Sequence, residues 1–72
     1  MSQPKMRVDK YGIKQWWLNH NLHREDGPAI EYPDGQKQWY LNDEKVSWEQ
    51  VFRQAKTPEI ELRILTAALT NS

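Results

Sequence analysis

The chain has no cysteine among its 72 residues. A disulfide staple and a thiolate metal site are therefore both excluded, and the absence favours a reducing compartment. Disulfides and structural metals matter at this length, because a chain of about 70 residues buries only about 60% of its unfolded surface. A small domain without staples needs large aromatic side chains or self-assembly to become stable. Four Trp, three Tyr and one Phe supply the first route.

An excess of either charge sign is also absent, since ten basic and ten acidic residues leave a formal net charge of zero. Proteins held mainly by phosphate contacts carry a basic footprint, so nucleic acid is the disfavoured class of partner. Long apolar runs are absent as well. The N-terminal segment is polar, and no stretch matches a signal peptide or a bilayer span. These absences predict a cytoplasmic protein that does not contact a membrane.

The clearest feature that is present is a repeat. Gly12–Asn19 reads GIKQWWLN and Gly35–Asn42 reads GQKQWYLN, at an offset of about 23 residues. Seven of the eight positions are identical or exchange one aromatic residue for another. An offset in this range is typical of repeat architectures. The first two-thirds of the chain is therefore predicted to be one β unit used twice.

Residues 5–46 have the composition and punctuation of β-strands. Pro33-Asp34-Gly35 is a strong hairpin turn signal, and other polar clusters separate the remaining strand candidates. The candidates are Met6–Asp9, Ile13–Leu18, Leu22–His23, Pro28–Tyr32 and Gln36–Leu41, of which Ile13–Leu18 is rich in residues that favour strands. We expect a twisted antiparallel meander of four or five short strands.

Alternation along the repeated strands assigns side chains to two faces of the sheet. The expected core face carries Trp16, Leu18, Trp39 and Leu41. Trp17 and Tyr40 then lie on the opposite face, flanked by polar residues. The inverse arrangement, in which Trp16 and Trp39 are the exposed pair, stays open.

The last third of the chain changes to a helical period. Ser47 and Gln50 form a capping box, and Val46 with Val51 forms the accompanying hydrophobic staple. Both features predict that a helix begins at this point.

A second helix is expected from Pro58, with Thr57 as its N-cap, to about Leu69. The chain is therefore predicted to be one α+β domain over residues 1–72. It comprises a β-repeat region at 5–46 and a helical cap at 47–70.

The second predicted helix is apolar over an unusually wide arc. Its apolar side chains cover roughly 220°, whereas a helix lying on a domain surface needs only about 100°. The helix is either wedged between the sheet and the first helix, or part of its stripe is an oligomer or partner interface. The candidate interface residues are Ile60, Ile64, Leu65 and Ala68, and we expect a homo-oligomer.

The repeat and its downstream segment, LHREDGPAIEY at 22–32, resemble the MORN-like variant repeats of small phage and bacterial proteins. The match covers residues 11–45, about one and a half repeats, because the second copy lacks the His-Arg-x-Asp-Gly-Pro tail. The glycine usual after the Asn is replaced by His20 in one copy and by Asp43 in the other. The resemblance implies consecutive β-hairpins in an elongated sheet, capped by the helical segment.

The same resemblance bears on function. It implies contacts with proteins or lipids and not catalysis. The small phage-like form implies a phage-encoded inhibitor or modulator of a bacterial host protein, for example a defence or gene-expression factor, in the host cytoplasm. This step is an analogy at the level of the family.

A metal site is not expected at the histidine pair. His20 and His23 lie near two acidic residues, but zinc requires three or four ligands in tight geometry. We expect His23, Arg24 and Asp26 instead to hydrogen-bond across their loop and to hold the Gly27-Pro28 turn. No cofactor is predicted.

Catalysis is not expected either. A nucleophile needs a positioned base beside it, and Ser47 is already used as a helix cap. The adjacent acidic residues in the turns are solvated charges, not an acid–base pair with separated pKa values. No set of residues takes up defined catalytic roles, so the chain is predicted not to be an enzyme.

Trp17 and Tyr40 are the best candidates for partner binding, because Trp, Tyr and Arg dominate binding hot spots. Lys14, Arg24 and Lys37 lie nearby in sequence and complete the candidate set. We predict a non-enzymatic protein-interaction module that acts sterically. The alternative is a small single-stranded nucleic-acid-binding protein with an aromatic stacking platform; stacking on sugar rings also stays open.

Overall fold

The computed structural model describes residues 3–70, in which six β-strands precede two α-helices. The strands are β1 (Lys5–Val8), β2 (Lys14–Leu18), β3 (Asn21–Leu22), β4 (Ile30–Glu31), β5 (Lys37–Leu41) and β6 (Glu44–Val46). The helices are α1 (Trp48–Arg53) and α2 (Pro58–Thr70). The predicted α+β order, an antiparallel meander followed by two C-terminal helices, is confirmed. The strand count rises to six because β6 adds an edge strand beside β5.

The sheet has the order β1-β2-β4-β5-β6, and every pairing in it is antiparallel. The C-terminal end of β2 pairs with β3, whereas its N-terminal end pairs with β4. The two repeated strands, β2 and β5, are therefore not bonded to each other, since β4 lies between them. The connecting segment at 21–31 joins the two copies.

The repeat is more complete in the backbone than in the sequence. β1-β2-β3 (the first unit) and β4-β5-β6 (the second unit) have the same register: Arg7 pairs with Gln15 as Ile30 pairs with Gln38, 23 residues further on. All six residues with positive φ in the described chain also form three pairs at this spacing. They are Gly12 and Gly35, Asn19 and Asn42, and His20 and Asp43.

The turns explain this equivalence. Each repeated strand ends in a two-residue loop in which both residues have φ between 50° and 70°. Positive φ at both positions is the pattern of a type I′ turn, whose twist suits a tight hairpin. Asn and Asp tolerate this region better than most residues. Each repeated strand is also preceded by a bend, where the glycine N–H donates to the carbonyl three residues earlier at 3.0 Å.

The core lies on one face of the second unit. Trp39 and Leu41 are buried against Val51 of α1 and Ile64 of α2, and Ile64 is 0% exposed. The assignment of Trp39 and Leu41 to the core face is confirmed. Their equivalents in the first unit, Trp16 and Leu18, are only half-buried. Both helices therefore cover the second unit preferentially.

The helix starts form as predicted. The Ser47 side chain accepts from the Gln50 N–H at 3.3 Å, and the Gln50 side chain accepts from the Ser47 N–H at 3.0 Å. Val46 packs against the core cluster that contains Val51. Thr57 Oγ1 accepts from the Ile60 N–H at 3.1 Å and so caps α2.

Within residues 3–70 no helix has the length and apolar character needed to cross a bilayer.

The chain's own core explains part of the apolar stripe on α2. Ile64 is completely buried, and Ile60 and Ala68 pack against the core cluster, while Leu65 is half-buried. The expectation that these four residues form an oligomer interface is wrong for Ile64, and the packing of Ile60 and Ala68 is likewise internal. Ile64 clusters with both the sheet and α1, whereas Leu62 and Leu69 of the same helix are 65% and 80% exposed.

Candidate functional site

Strand register divides the sheet into two chemically different faces. Residues directly opposite each other in an antiparallel pair lie on the same face. The face that carries Trp17, called the Trp17 face from here on, comprises Lys5, Arg7, Gln15, Trp17, Leu22, Ile30, Gln38, Tyr40 and Lys45. The helices pack on the other face, against Trp39 and Leu41. The Trp17 face is therefore the side of the sheet that α1 and α2 leave uncovered.

Trp17 and Tyr40 occupy equivalent places on this face and are held in the same way. Trp17 Nε1 donates to Gln15 Oε1 at 3.1 Å, and Tyr40 Oη donates to Gln38 Oε1 at 3.3 Å. Both aromatic side chains are half-buried and lie outside the core cluster. Each ring is thus fixed at its polar end by the glutamine two residues earlier, while part of its apolar surface stays accessible.

The paired positions of the Trp17 face carry charge of one sign. Lys5 is opposite Trp17, Arg7 is opposite Gln15, and Lys45 is opposite Tyr40. All three basic residues are exposed, and no acidic residue occupies a register-paired position on this face. The helix-bearing face is mixed, because Glu31 and Glu44 accompany its lysines.

A shallow depression lies at one end of the Trp17 face, where β1 passes the β2–β3 turn. Polar and basic side chains surround one aromatic ring there, and the lining residues are Gln3, Lys5, Arg7, Trp17, Leu18, Asn19 and His20. No carboxylate lines it. The depression can accept an anionic group beside an apolar one.

The structure does not bring the five predicted binding residues together. Trp17 and Tyr40 lie on the Trp17 face, whereas Lys14 and Lys37 are both paired with Glu31 on the opposite face. Arg24 also lies away from Trp17, since its guanidinium carbon is 3.9 Å from the centre of the Trp16 ring. Proximity in sequence misassigned the two lysines because alternate residues of a strand point to opposite faces, and it misassigned Arg24 because the loop after β3 places it over Trp16.

Arg24 has a structural role. Its Nε donates to Asp26 at 2.9 Å, and its Nη1 donates to the Pro28 carbonyl at 3.1 Å and to Glu31 at 3.2 Å. The predicted hydrogen bonding across this loop is confirmed for Arg24 and Asp26, whereas His23 bonds to Glu25 and Asn42. A Cβ at Gly27 would lie 2.9 Å from the guanidinium carbon, so a side chain there would have to displace Arg24.

His23 is buried and joins the two units. Its Nδ1 accepts from the Asn42 N–H at 2.9 Å, and its Nε2 lies 2.9 Å from a Glu25 oxygen. The ring therefore donates from Nε2 and accepts at Nδ1. Beside it, the Asp43 N–H donates to the Leu22 carbonyl at 2.8 Å, and Asp43 Oδ1 accepts from the Leu22 N–H at 3.1 Å.

The described residues contain no group of three or more His, Cys, Asp or Glu side chains arranged to hold a metal ion. His20 lies in the β2–β3 turn and His23 is fully used by its two hydrogen bonds. The side chains of the Trp17 face can bind a partner by apolar contact, hydrogen bonding and positive charge.

Sequence reasoning missed Lys5, Arg7 and Lys45 as members of the candidate site. Each of them becomes a neighbour of an aromatic or glutamine side chain only through strand register. Once β1 is aligned antiparallel to β2, alternation alone places Lys5 and Arg7 beside Trp17 and Gln15.

Comparison of the chain with protein-family models, with curated proteins and with solved structures gave no match. The resemblance to MORN-like repeats therefore stays a prediction that rests on the sequence of residues 11–45.

Proposed function

We propose that this chain is a non-enzymatic protein-interaction module that binds its partner through the Trp17 face. The supporting observation is the pair of aromatic side chains at repeat-equivalent positions, each held by a glutamine, on the face that the helices leave uncovered. Trp and Tyr provide most of the binding energy at many protein interfaces.

Preorganisation strengthens the proposal. Ordering a side chain at an interface costs about 0.5–1.5 kcal/mol for each freely rotating group. Trp17 and Tyr40 are already restrained by their hydrogen bonds before any partner arrives. A partner therefore gains their contact area at a low entropic cost.

The family resemblance extends the proposal to biology. A phage-encoded modulator would act by occupying the working surface of a bacterial host protein in the cytoplasm. The proposed mechanism is steric, and it requires neither a cofactor nor a chemical step. Self-association remains a separate proposal, and the exposed Leu62 and Leu69 of α2 are its best remaining contacts.

The test is affinity capture from bacterial lysate with the wild type, Trp17→Ala and Tyr40→Ala side by side. We expect a protein that the wild type retains and that each variant loses, while far-UV circular dichroism shows the variants folded. Tyr11→Ala is the matched control, because Tyr11 is 69% exposed but lies outside the paired strands. Equal capture by the wild type and both face variants would remove the proposal.

Single-stranded nucleic acid is the second candidate, because a lysine lies directly opposite each aromatic ring of the Trp17 face. Aromatic rings flanked by cations can stack on unpaired bases. Fluorescence anisotropy with labelled oligo(dT) and oligo(U) at physiological salt tests this directly. Salt-sensitive binding that Trp17→Ala abolishes would favour nucleic acid over protein.

A further inference from the structure

We infer that the partner segment recognised by the Trp17 face is an acidic polypeptide, whose carboxylates pair with Lys5, Arg7 and Lys45 around the two aromatic rings. This inference rests on the proposed function, and it names the chemistry of the partner. The evidence is the segregation of charge in a chain whose net charge is zero.

The segregation is visible from the sheet registers. Three cations and no carboxylate occupy the paired positions of the Trp17 face. On the opposite face, the carboxylate-bearing Glu31 stands between Lys14 and Lys37 in the register, and it forms its ion pair with Arg24 at 3.2 Å. Carboxylates therefore accompany the cations at the paired positions of one face of the sheet and not of the other.

The three cations are also not used by the fold. Every salt bridge of an arginine or lysine within residues 3–70 involves Arg24 or Arg63, and the neutral His23 ring hydrogen-bonds to Glu25. Lys5, Arg7 and Lys45 are exposed and take part in none of these ion pairs. Exposed cations of one sign on one face, here at both edges of the sheet, favour a partner of the opposite sign and raise the rate of encounter with it.

The arrangement fits an acidic polypeptide better than a nucleic acid. Nucleic-acid affinity grows with the number of phosphates neutralised, and binding through only about three phosphate contacts is weak at physiological salt. An acidic polypeptide needs only a few carboxylates, because apolar side chains against Trp17 and Tyr40 supply the rest of the affinity. The depression beside Trp17, with Lys5, Arg7 and His20 in its lining, would receive one such carboxylate.

The experiment is selection of random dodecapeptides displayed on the surface of yeast against the immobilised protein. We expect enriched peptides to be rich in Asp and Glu and to contain at least one large apolar residue. Binding of a synthesised enriched peptide, measured by fluorescence anisotropy, should weaken at higher salt. The variant Lys5→Glu/Arg7→Glu should bind it roughly tenfold more weakly, since reversal replaces two exposed attractions by repulsions.

The matched control is Lys10→Glu/Lys56→Glu, which reverses two exposed charges in turns away from the face and should keep wild-type affinity. Selection against the Lys5→Glu/Arg7→Glu variant should lose the acidic bias. Neutral or basic peptides that still require Trp17 would overturn the inference but not the proposed function. Failure to enrich any peptide would overturn the inference, while the lysate capture decides the proposed function separately. Tight oligo(dT) binding through Lys5 and Arg7 would replace the acidic polypeptide by nucleic acid.

Discussion

In the second unit of the sheet, Trp39 and Leu41 lie beneath two helices and are buried, whereas the equivalent Trp16 and Leu18 of the first unit are half-buried. The backbones of the two units are nearly the same, so the difference arises from the segment that the chain attaches to the end of each copy. After β3 the chain continues as the His23–Pro28 loop, which places Arg24 over Trp16. After β6 it continues into α1 and α2.

The comparison shows how one hairpin design serves two purposes. The second unit uses its tryptophan to anchor a hydrophobic core. The first unit covers the equivalent ring with a cation–π contact and an ion-pair network, which are weaker than full burial under apolar side chains. Stability should therefore be concentrated in the second unit, and the Trp17 face spans both units with Ile30 as its one buried apolar residue among the paired positions.

The largest expected effect comes from replacing Trp39 and Trp16 by alanine, one at a time. Trp39→Ala should cost about 3–5 kcal/mol, as expected for deleting a buried aromatic side chain. Trp16→Ala should cost about 1–2 kcal/mol, because a half-buried ring loses correspondingly less transfer free energy. Urea denaturation followed by far-UV circular dichroism measures both without relying on tryptophan emission.

If Trp39→Ala does not fold, Trp39→Phe and Trp16→Phe provide a milder pair with the same expected order. Equal losses at the two positions would contradict the unequal covering of the two units. A larger loss at Trp16 would show that Arg24 and its partners stabilise the fold more than the helices do.

The covering of the first unit can be tested at Gly27. A methyl group there would lie 2.9 Å from the Arg24 guanidinium carbon, so Gly27→Ala should displace that side chain from its carbonyl and carboxylate partners. Overpacking of this kind typically costs about 1–3 kcal/mol. In an Arg24→Ala background the same substitution should be nearly neutral, and a double-mutant cycle of urea midpoints measures the coupling.

Gly35→Ala is the control for that cycle. A methyl group at Gly35 meets open space, and its cost comes only from the positive φ of 96°. Its effect should therefore be the same with Arg24 and with Ala at position 24. If the costs of Gly27→Ala and Arg24→Ala are additive, Arg24 can move aside without a loss of stability.

Much of this architecture could be predicted from the sequence where the signals are local. The capping box of Ser47 and Gln50 and the Thr57 cap depend on residues three positions apart, so their interactions were readable. Alternation along a strand is also a local signal, and it correctly placed Trp39 and Leu41 in the core.

The features that depend on distant pairing could not be read. The residues of β1 and β4 share no identity at equivalent positions, although both pair with the repeated strands in the same register. Without that register, Lys5 and Arg7 had no connection to Trp17, and Arg24 had none to Trp16. The apolar arc of α2 was visible, but its two neighbours were not, so burial was mistaken for an interface.

The smallest expected effect concerns the second residue of each hairpin turn. His20 and Asp43 both have φ near 70°, a region that costs a residue with a Cβ about 1 kcal/mol and that glycine adopts readily. His20→Gly should therefore stabilise the fold by about 0.5–1 kcal/mol, measured by urea denaturation. Asp43→Gly relieves the same strain but removes the carboxylate that accepts from the Leu22 N–H at 3.1 Å, a bond worth about 1 kcal/mol.

The two effects at position 43 should nearly cancel. The substitution by glycine should therefore raise the free energy of unfolding at position 20 and leave it unchanged at the equivalent position 43. An equal gain at both positions would mean that the Asp43 carboxylate does not hold the units together. His23 and the paired backbone of Leu22 and Asp43 would then carry that junction alone. A loss of stability larger than about 1 kcal/mol for Asp43→Gly would mean that the Asp43 carboxylate contributes more to the junction than this one hydrogen bond, whose removal is expected to cost no more than that.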